Sequence, residues 1–165
     1  GGNGSGAHLS AELFKSTGGV DAVHVPYKGA PEIISAVIGK SVQFGFPTLG
    51  TAYPQVKAGR LRALAVTGVR RNHALPDVPT VAETLPGFEL VPWFGLVAPA
   101  RTPMDVVRRI DAEAQKALTD PAFRDRIQAD GSEVVNMGHT EFAAYIKADL
   151  QRWKRVVEIS GARVD

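Results

Sequence analysis

An α/β unit, with a mostly parallel sheet flanked by helices, is the fold class this sequence predicts, and three observations point to it. Strand-like and helix-like patterns alternate at βαβ spacing through residue 66. The run Leu61-Arg62-Ala63-Leu64-Ala65-Val66 is nearly all apolar, the pattern of a strand internal to a sheet. The 17 glycines and 11 prolines are spread between the patterned segments, where they punctuate elements instead of forming a flexible tract.

Taken in order, residues 1–6 form a glycine-rich loop in which Ser5 is placed to cap a helix. That helix covers Ala7 to Thr17, with Leu9, Leu13 and Phe14 at helical spacing, and Gly18-Gly19 stops it. Val20 to Pro26 reads as a short strand and Tyr27 to Ala30 as a turn. A helix follows from about Pro31, burying Ile33, Ile34, Val37 and Ile38, and Gly39 ends it. Val42 to Phe46 is the next strand, Pro47 to Thr51 a second turn, Ala52 to Ala58 a short helix, and Leu61 to Val66 the apolar strand. Pro76, Pro79 and Pro86 then enforce an irregular path, with a brief helix around Thr80 to Leu85.

Leu90 to Ala98 reads as another strand. The best-signalled helix comes next: Thr102 as cap, Pro103 at the first helical position and Asp105 facing the positive end of the helix dipole. Val106, Ile110, Ala114, Ala117 and Leu118 line one of its faces. Asp120-Pro121 starts a short helix through Ala129, and Val134-Val135 is a short strand. The last helix runs from about Thr140 to Ile159, striped by Phe142, Ile146, Leu150, Trp153 and Val157. Its start is weakly capped, because Gly138 stands where serine or threonine is preferred. These late helices carry broad apolar faces with few strands to cover, so part of their packing surface is expected to meet another part of the protein.

Composition excludes several function classes. The formal charge is +2, from 19 basic and 17 acidic residues, and the two signs are interleaved from Arg101 to Arg126. That is a solvated helix face, not a phosphate-binding stripe, and no nucleic-acid partner is expected. The absence of cysteine removes disulfides, thiolate nucleophiles and cysteine metal sites. No run approaches the roughly 18 apolar residues of a membrane span, and no basic segment leads into an apolar stretch as in a signal peptide.

Catalytic chemistry is equally thin. His8, His24, His73 and His139 lack metal-ligand spacing, and His24 lies in a strand pattern as a structural residue. Asn3 stands two residues before Ser5, where a nucleophile elbow requires glycine. No Gly-Lys-Ser/Thr follows to make a phosphate-binding Walker loop. No catalytic residue, metal or cofactor is therefore assigned. What remains is three loops before helix starts: Gly4-Ser5-Gly6, Lys28-Gly29-Ala30 and Pro47-Thr48-Leu49. Helix N-termini present unpaired N–H groups and a partial positive field to an anion. Ser5 and Thr48 add hydroxyl donors, Lys28 a charge, and Tyr27 a ring beside the second loop. Ordinary turn chemistry and a binding role are both open for these loops.

Five segments carry a resemblance. They are Gly-Asn-Gly-Ser-x-x-His-Leu at 2–9, Val-His-Val-Pro-Tyr-Lys-Gly at 23–29, Lys-Ala-Gly-Arg-Leu-Arg-Ala-Leu-Ala-Val-Thr-Gly at 57–68, Leu-Pro-Asp-Val-Pro-Thr-Val-Ala-Glu at 75–83 and Trp-Phe-Gly-Leu-Val-Ala-Pro-Ala at 93–100. Together they resemble the substrate-binding receptors of tripartite tricarboxylate transporters, from end to end of the chain. The resemblance implies a periplasmic-binding-protein-like fold, a location in the periplasm, a small organic carboxylate as ligand and membrane permease subunits as partners. It implies no enzyme activity and no cofactor. It places residues 1–90 in the receptor's second domain, and residues 91–165 in a crossover strand and closing helices that pack on a first domain absent from this chain.

By position, the family's ligand loops fall on Ser5 with its neighbour His8, on Tyr27, Lys28, Gly29 and Ala30, and on Thr48. Many members carry aspartate where Pro47 stands, a departure that favours a plain organic acid over an amino acid. Arg101, where glycine is common, alters only the turn before its helix. The leading reading is a non-enzymatic receptor that acts by closing on its ligand, so this chain alone is expected to bind acids very weakly or not at all. The alternatives are a two-domain enzyme whose catalytic half is missing, and an interaction module that self-associates through uncovered helix faces.

Overall fold

The computed structural model describes residues 2–160, and its regular structure is helical. In chain order the helices are α1 (Gly6–Gly18), α2 (Ala30–Ile38), α3 (Leu49–Lys57), a 3-10 turn at Val81–Glu83, α4 (Met104–Thr119), α5 (Pro121–Gln128) and α6 (His139–Ser160). No β-strand forms among the described residues, which overturns the predicted α/β class with its mostly parallel sheet. One isolated parallel bridge joins Val66 to Thr80. It is made by Val66 N–H on the Pro79 carbonyl and Val81 N–H on the Val66 carbonyl, both at 2.9 Å.

The reason lies in what alternation and apolar runs report. They record a local preference for pleated, half-buried backbone, whereas a sheet also needs a neighbouring ladder of hydrogen bonds. The segments read as strands find no such ladder here. Leu64, in the run taken as internal, is 65% exposed, and Val23 is 89% exposed.

Helix boundaries follow local chemistry. Ser5 caps α1 by accepting the His8 N–H, and Gly19 closes it in the left-handed region at φ 61°, its N–H on the Lys15 carbonyl. Asp120 caps α5 through the Phe123 N–H at 2.8 Å. Thr80 and Glu83 form a reciprocal capping box around the 3-10 turn. Two starts differ from expectation. α3 begins at Leu49 instead of Ala52, and Pro103 itself, not Thr102, is the N-cap of α4.

The main core lies where α1 packs on α6. Leu9, Leu13, Val81, Phe88, Leu90 and Val156 are buried there, with Phe14, Leu85 and Trp153 packed against them. Each such aliphatic or aromatic side chain contributes about 1.5–3 kcal/mol when fully buried. Gly6 permits the close approach, since a Cβ there would stand 3.2 Å from Pro92 and 3.8 Å from Trp153. α2 also neighbours α3, and Ile33, Ile34 and Ala36 of the first and Ala52 of the second are buried. Phe14, Phe44 and Phe46 meet edge-on or tilted and tie the 42–47 segment to α1.

Candidate functional site

The first two predicted loops come together. A Cβ placed on Gly2 would stand 3.9 Å from the Tyr27 carbonyl oxygen. The His8 and His24 rings stack with centroids 4.1 Å apart, which pins the 20–27 segment against the first turn of α1. The Gly2–Ser5 loop closes on itself through Ser5 N–H on the Gly2 carbonyl at 3.0 Å, with Gly4 at φ 76°. That left-handed conformation suits glycine. Ser5 Oγ accepts the His8 N–H at 3.3 Å, so its own hydroxyl proton remains a donor.

His8 is only 6% exposed, and its Nδ1 accepts the Gly4 N–H at 3.0 Å. Its Nε2 lies 3.9 Å from Glu12, whose carboxylate also holds Lys15 at 3.0 Å. Burial, followed by the neighbouring His8 ring, holds the His24 imidazole below its ordinary pKa.

At the second loop Gly29 is the N-cap of α2, in extended backbone, and makes no side-chain cap. The Glu32 carboxylate instead accepts the Lys28 N–H at 2.9 Å from the first turn of α2. Tyr27, Gly29 and Ala30 are half-buried, while Lys28 is exposed.

The third loop stands differently. Thr48 is the exposed N-cap of α3, and its hydroxyl pairs with that of Thr51 at 3.0 Å. The 42–47 segment rests on α2, where a Cβ on Gly45 would come within 2.6 Å of Ile33. Beside the α3 start, a Cβ on Gly50 would meet the Asp130 carboxylate at 2.7 Å. A resident carboxylate already approaches this helix start, so the third loop is less open to an anion than the first.

Several polar sites went unread in the sequence. The Asp149 carboxylate is 5% exposed and accepts both indole N–H groups, from Trp93 at 2.7 Å and Trp153 at 2.8 Å. Around it Trp93, Phe142 and Tyr145 pack ring to ring. The weak start of α6 is repaired from α4: Asp111 accepts the His139 backbone N–H at 3.1 Å and pairs with the His139 ring at 2.7 Å. Those bonds hold the Asp111 carboxyl below its ordinary pKa. Arg71 pairs with Glu83 through two hydrogen bonds, at 2.9 and 2.7 Å, and brings that carboxyl down to about 2. None of these residues sits at the three loops. Only their residue types were visible in the sequence, since each partnership spans distant positions or breaks an apolar stripe.

An open groove of about 520 Å³ runs along α4, lined by Leu96, Val106, Ile110 and Ala114 with Asp105, Arg109 and Glu113. Among the described residues no group of three or more histidines or carboxylates is placed to hold a metal ion. No described helix is long and apolar enough to cross a membrane.

The chain is 33% identical over 158 residues to the UPF0065 protein in the tcbD-tcbE intergenic region of Pseudomonas sp. strain P51, covering 94% of this chain and 47% of that protein. It is 31% identical to BugT of Bordetella pertussis, covering 98% and 50%. The chain thus spans about half the length of these relatives, and 94% of a shorter one from Pseudomonas knackmussii, at 29% identity. Among solved structures it superposes on the adipate-bound R. palustris protein Rpa4515 with a TM-score of 0.91, at 31% identity, over 96% of this chain and 54% of that one. The periplasmic binding protein BugD gives a TM-score of 0.85 at 30% identity, over 95% and 54%. Residues 1–162 match the family described as the tripartite tricarboxylate transporter family receptor, and the chain belongs to that family.

Proposed function

We propose that this chain forms one wall of a receptor site for a small organic carboxylate, in the periplasm, serving the membrane permease of a tripartite transporter. The observation that carries the reading is the apposition of the Gly2–Ser5 loop and Tyr27 at the start of α1. The Ser5 hydroxyl and the positive end of α1, with the N–H groups of its first turn, lie there, and a carboxylate matches them. Ser5, Tyr27, Lys28, Gly29 and Ala30 line this wall, with Thr48 at its margin and His8 behind it. Residues 1–90 hold the ligand-facing part, and residues 91–165 supply elements that pack on the half present in longer relatives. Adipate in Rpa4515 and malate in MatC, a second R. palustris relative at 28% identity and a TM-score of 0.84, support a dicarboxylate.

Function follows from closure: a ligand touching both halves favours the closed state, and the permease reads that state. One wall alone makes only part of those contacts, so affinity for this chain is expected in the millimolar range or weaker. A thermal-shift screen against mono-, di- and tricarboxylates and amino acids tests it. A ligand at ten times its Kd adds about 1.4 kcal/mol to stability. The expected result is a saturable rise for dicarboxylates at high concentration, with the acid recovered chemically unchanged. Sub-micromolar binding by this chain, or conversion of the acid, would overturn the reading.

A further inference from the structure

The stacked histidines beside the first loop are more than packing. His8 lies in the first turn of α1 with its side chain turned back under the loop, where Nδ1 accepts the Gly4 N–H at 3.0 Å. A ring nitrogen that accepts carries no proton, so neutral His8 is the Nε2–H tautomer, with that N–H directed towards the Glu12 side. The backbone N–H of the same residue donates to Ser5 Oγ. The residue thus contacts the loop twice, Gly4 through its ring and Ser5 through its main chain, and only the first contact depends on the imidazole. His24 stacks on the ring at 4.1 Å and 18° and holds its plane.

We propose that His8 is the positioning residue of the Gly2–Ser5 loop, its ring holding Gly4 in place as the Nε2–H tautomer and releasing Gly4 when the ring is protonated. The proposal rests on the reading of this loop as a carboxylate wall. A protonated Nδ1 donates instead of accepting, so the Gly4 N–H would then face another donor. The charged and titratable groups around the pair are Glu12 and Lys15 on α1 and His24 on the adjoining segment. On α6, which packs on α1, Asp149 and Arg152 are engaged by Trp93, Trp153 and Glu89. Burial, and after it the neighbouring His8 ring, holds His24 below its ordinary pKa, so the ring stacked on His8 favours its neutral form.

The test needs no ligand. Imidazole ¹⁵N spectra of the 165-residue chain give the tautomer directly, and the protection of the Gly4 amide against hydrogen exchange reports the loop. Both are followed across about pH 5 to 8, where histidine titrates. Expected is the Nε2–H pattern for His8 at the upper end, with Gly4 protection falling at least about fivefold as His8 becomes charged, the equivalent of one hydrogen bond. His8→Asn keeps an acceptor oxygen near the Nδ1 position and should keep Gly4 protected at every pH. His8→Phe keeps a ring for His24 without an acceptor and should lose that protection at every pH. An Nδ1–H tautomer in the unmodified chain would overturn the proposal even if His8→Phe fails to fold, and so would equal Gly4 protection in the unmodified chain and His8→Phe. Failure to bind any carboxylate would leave this result standing and sink only the reading of the loop's purpose.

Discussion

Helices α1 and α4 both carry apolar residues at helical spacing, yet the molecule treats them differently. In α1 the stripe is covered: Leu9 and Leu13 are buried against α6 and the 81–90 segment. In α4 no residue is buried, and Val106 and Ile110 remain 41% and 48% exposed along an open groove. Amphipathic spacing thus says that a helix has a face to bury, and leaves unsaid which partner buries it.

Truncating one residue in each stripe separates the two helices by the largest margin. Leu13→Ala should cost about 2–5 kcal/mol, the range for a buried leucine, while Ile110→Ala should stay within about 0.5 kcal/mol. Urea midpoints of the two variants measure both, and equal losses would mean that α4 is covered in solution. Next in size is Asp149→Ala, which strands two indole N–H groups and should cost about 2–3 kcal/mol. Asp149→Asn, retaining one acceptor oxygen, should cost less by the same denaturation measurement. Thr80→Ala removes half of the capping box at Val81–Glu83 and should cost about 1 kcal/mol.

The smallest effect is in pH. Glu83 and Asp111 both have folded pKa values lowered by their partners, Arg71 and His139. Their contribution is present above the ordinary carboxylate range and is lost as pH falls through the folded values, about 2 for Glu83. Both groups are solvent-screened, so the slope is shallow and flattens with salt. Melting temperatures of the chain and of Glu83→Gln should differ slightly at neutral pH and converge near the acid end.

What the sequence made legible was local. The Ser5 cap, the Gly19 stop, the Asp120-Pro121 start and the brief turn after Thr80 are each settled by residues within one helical turn, and the structure has them. The sheet was not legible, because pairing depends on neighbours that a single segment does not encode. The α6 stripe was legible in part: Phe142, Ile146 and Trp153 are half-buried, but Leu150 and Val157 are exposed at 61% and 38%, whereas Asp149 and Val156 are buried. A charged residue on a buried face looks like a break in the pattern until its two indole partners are seen. The start of α6 was legible to within a residue, but the group that satisfies it was not, since it is Asp111 on another helix. At the candidate site the residue types of the first two loops were visible, but not the His8–Gly4 bond that shapes one of them or the Asp130 carboxylate beside the third.

We place the carboxylate-facing wall at the loop that starts α1, with Tyr27 beside it. The most direct test of that placement is an amide chemical-shift titration of the chain with malate and with adipate. Saturable shifts are expected at Gly4, Ser5 and Lys28 to Ala30, smaller ones at Thr48, and none along α4. Shifts centred on the α4 groove, or none at any of these loops at saturating acid, would contradict it.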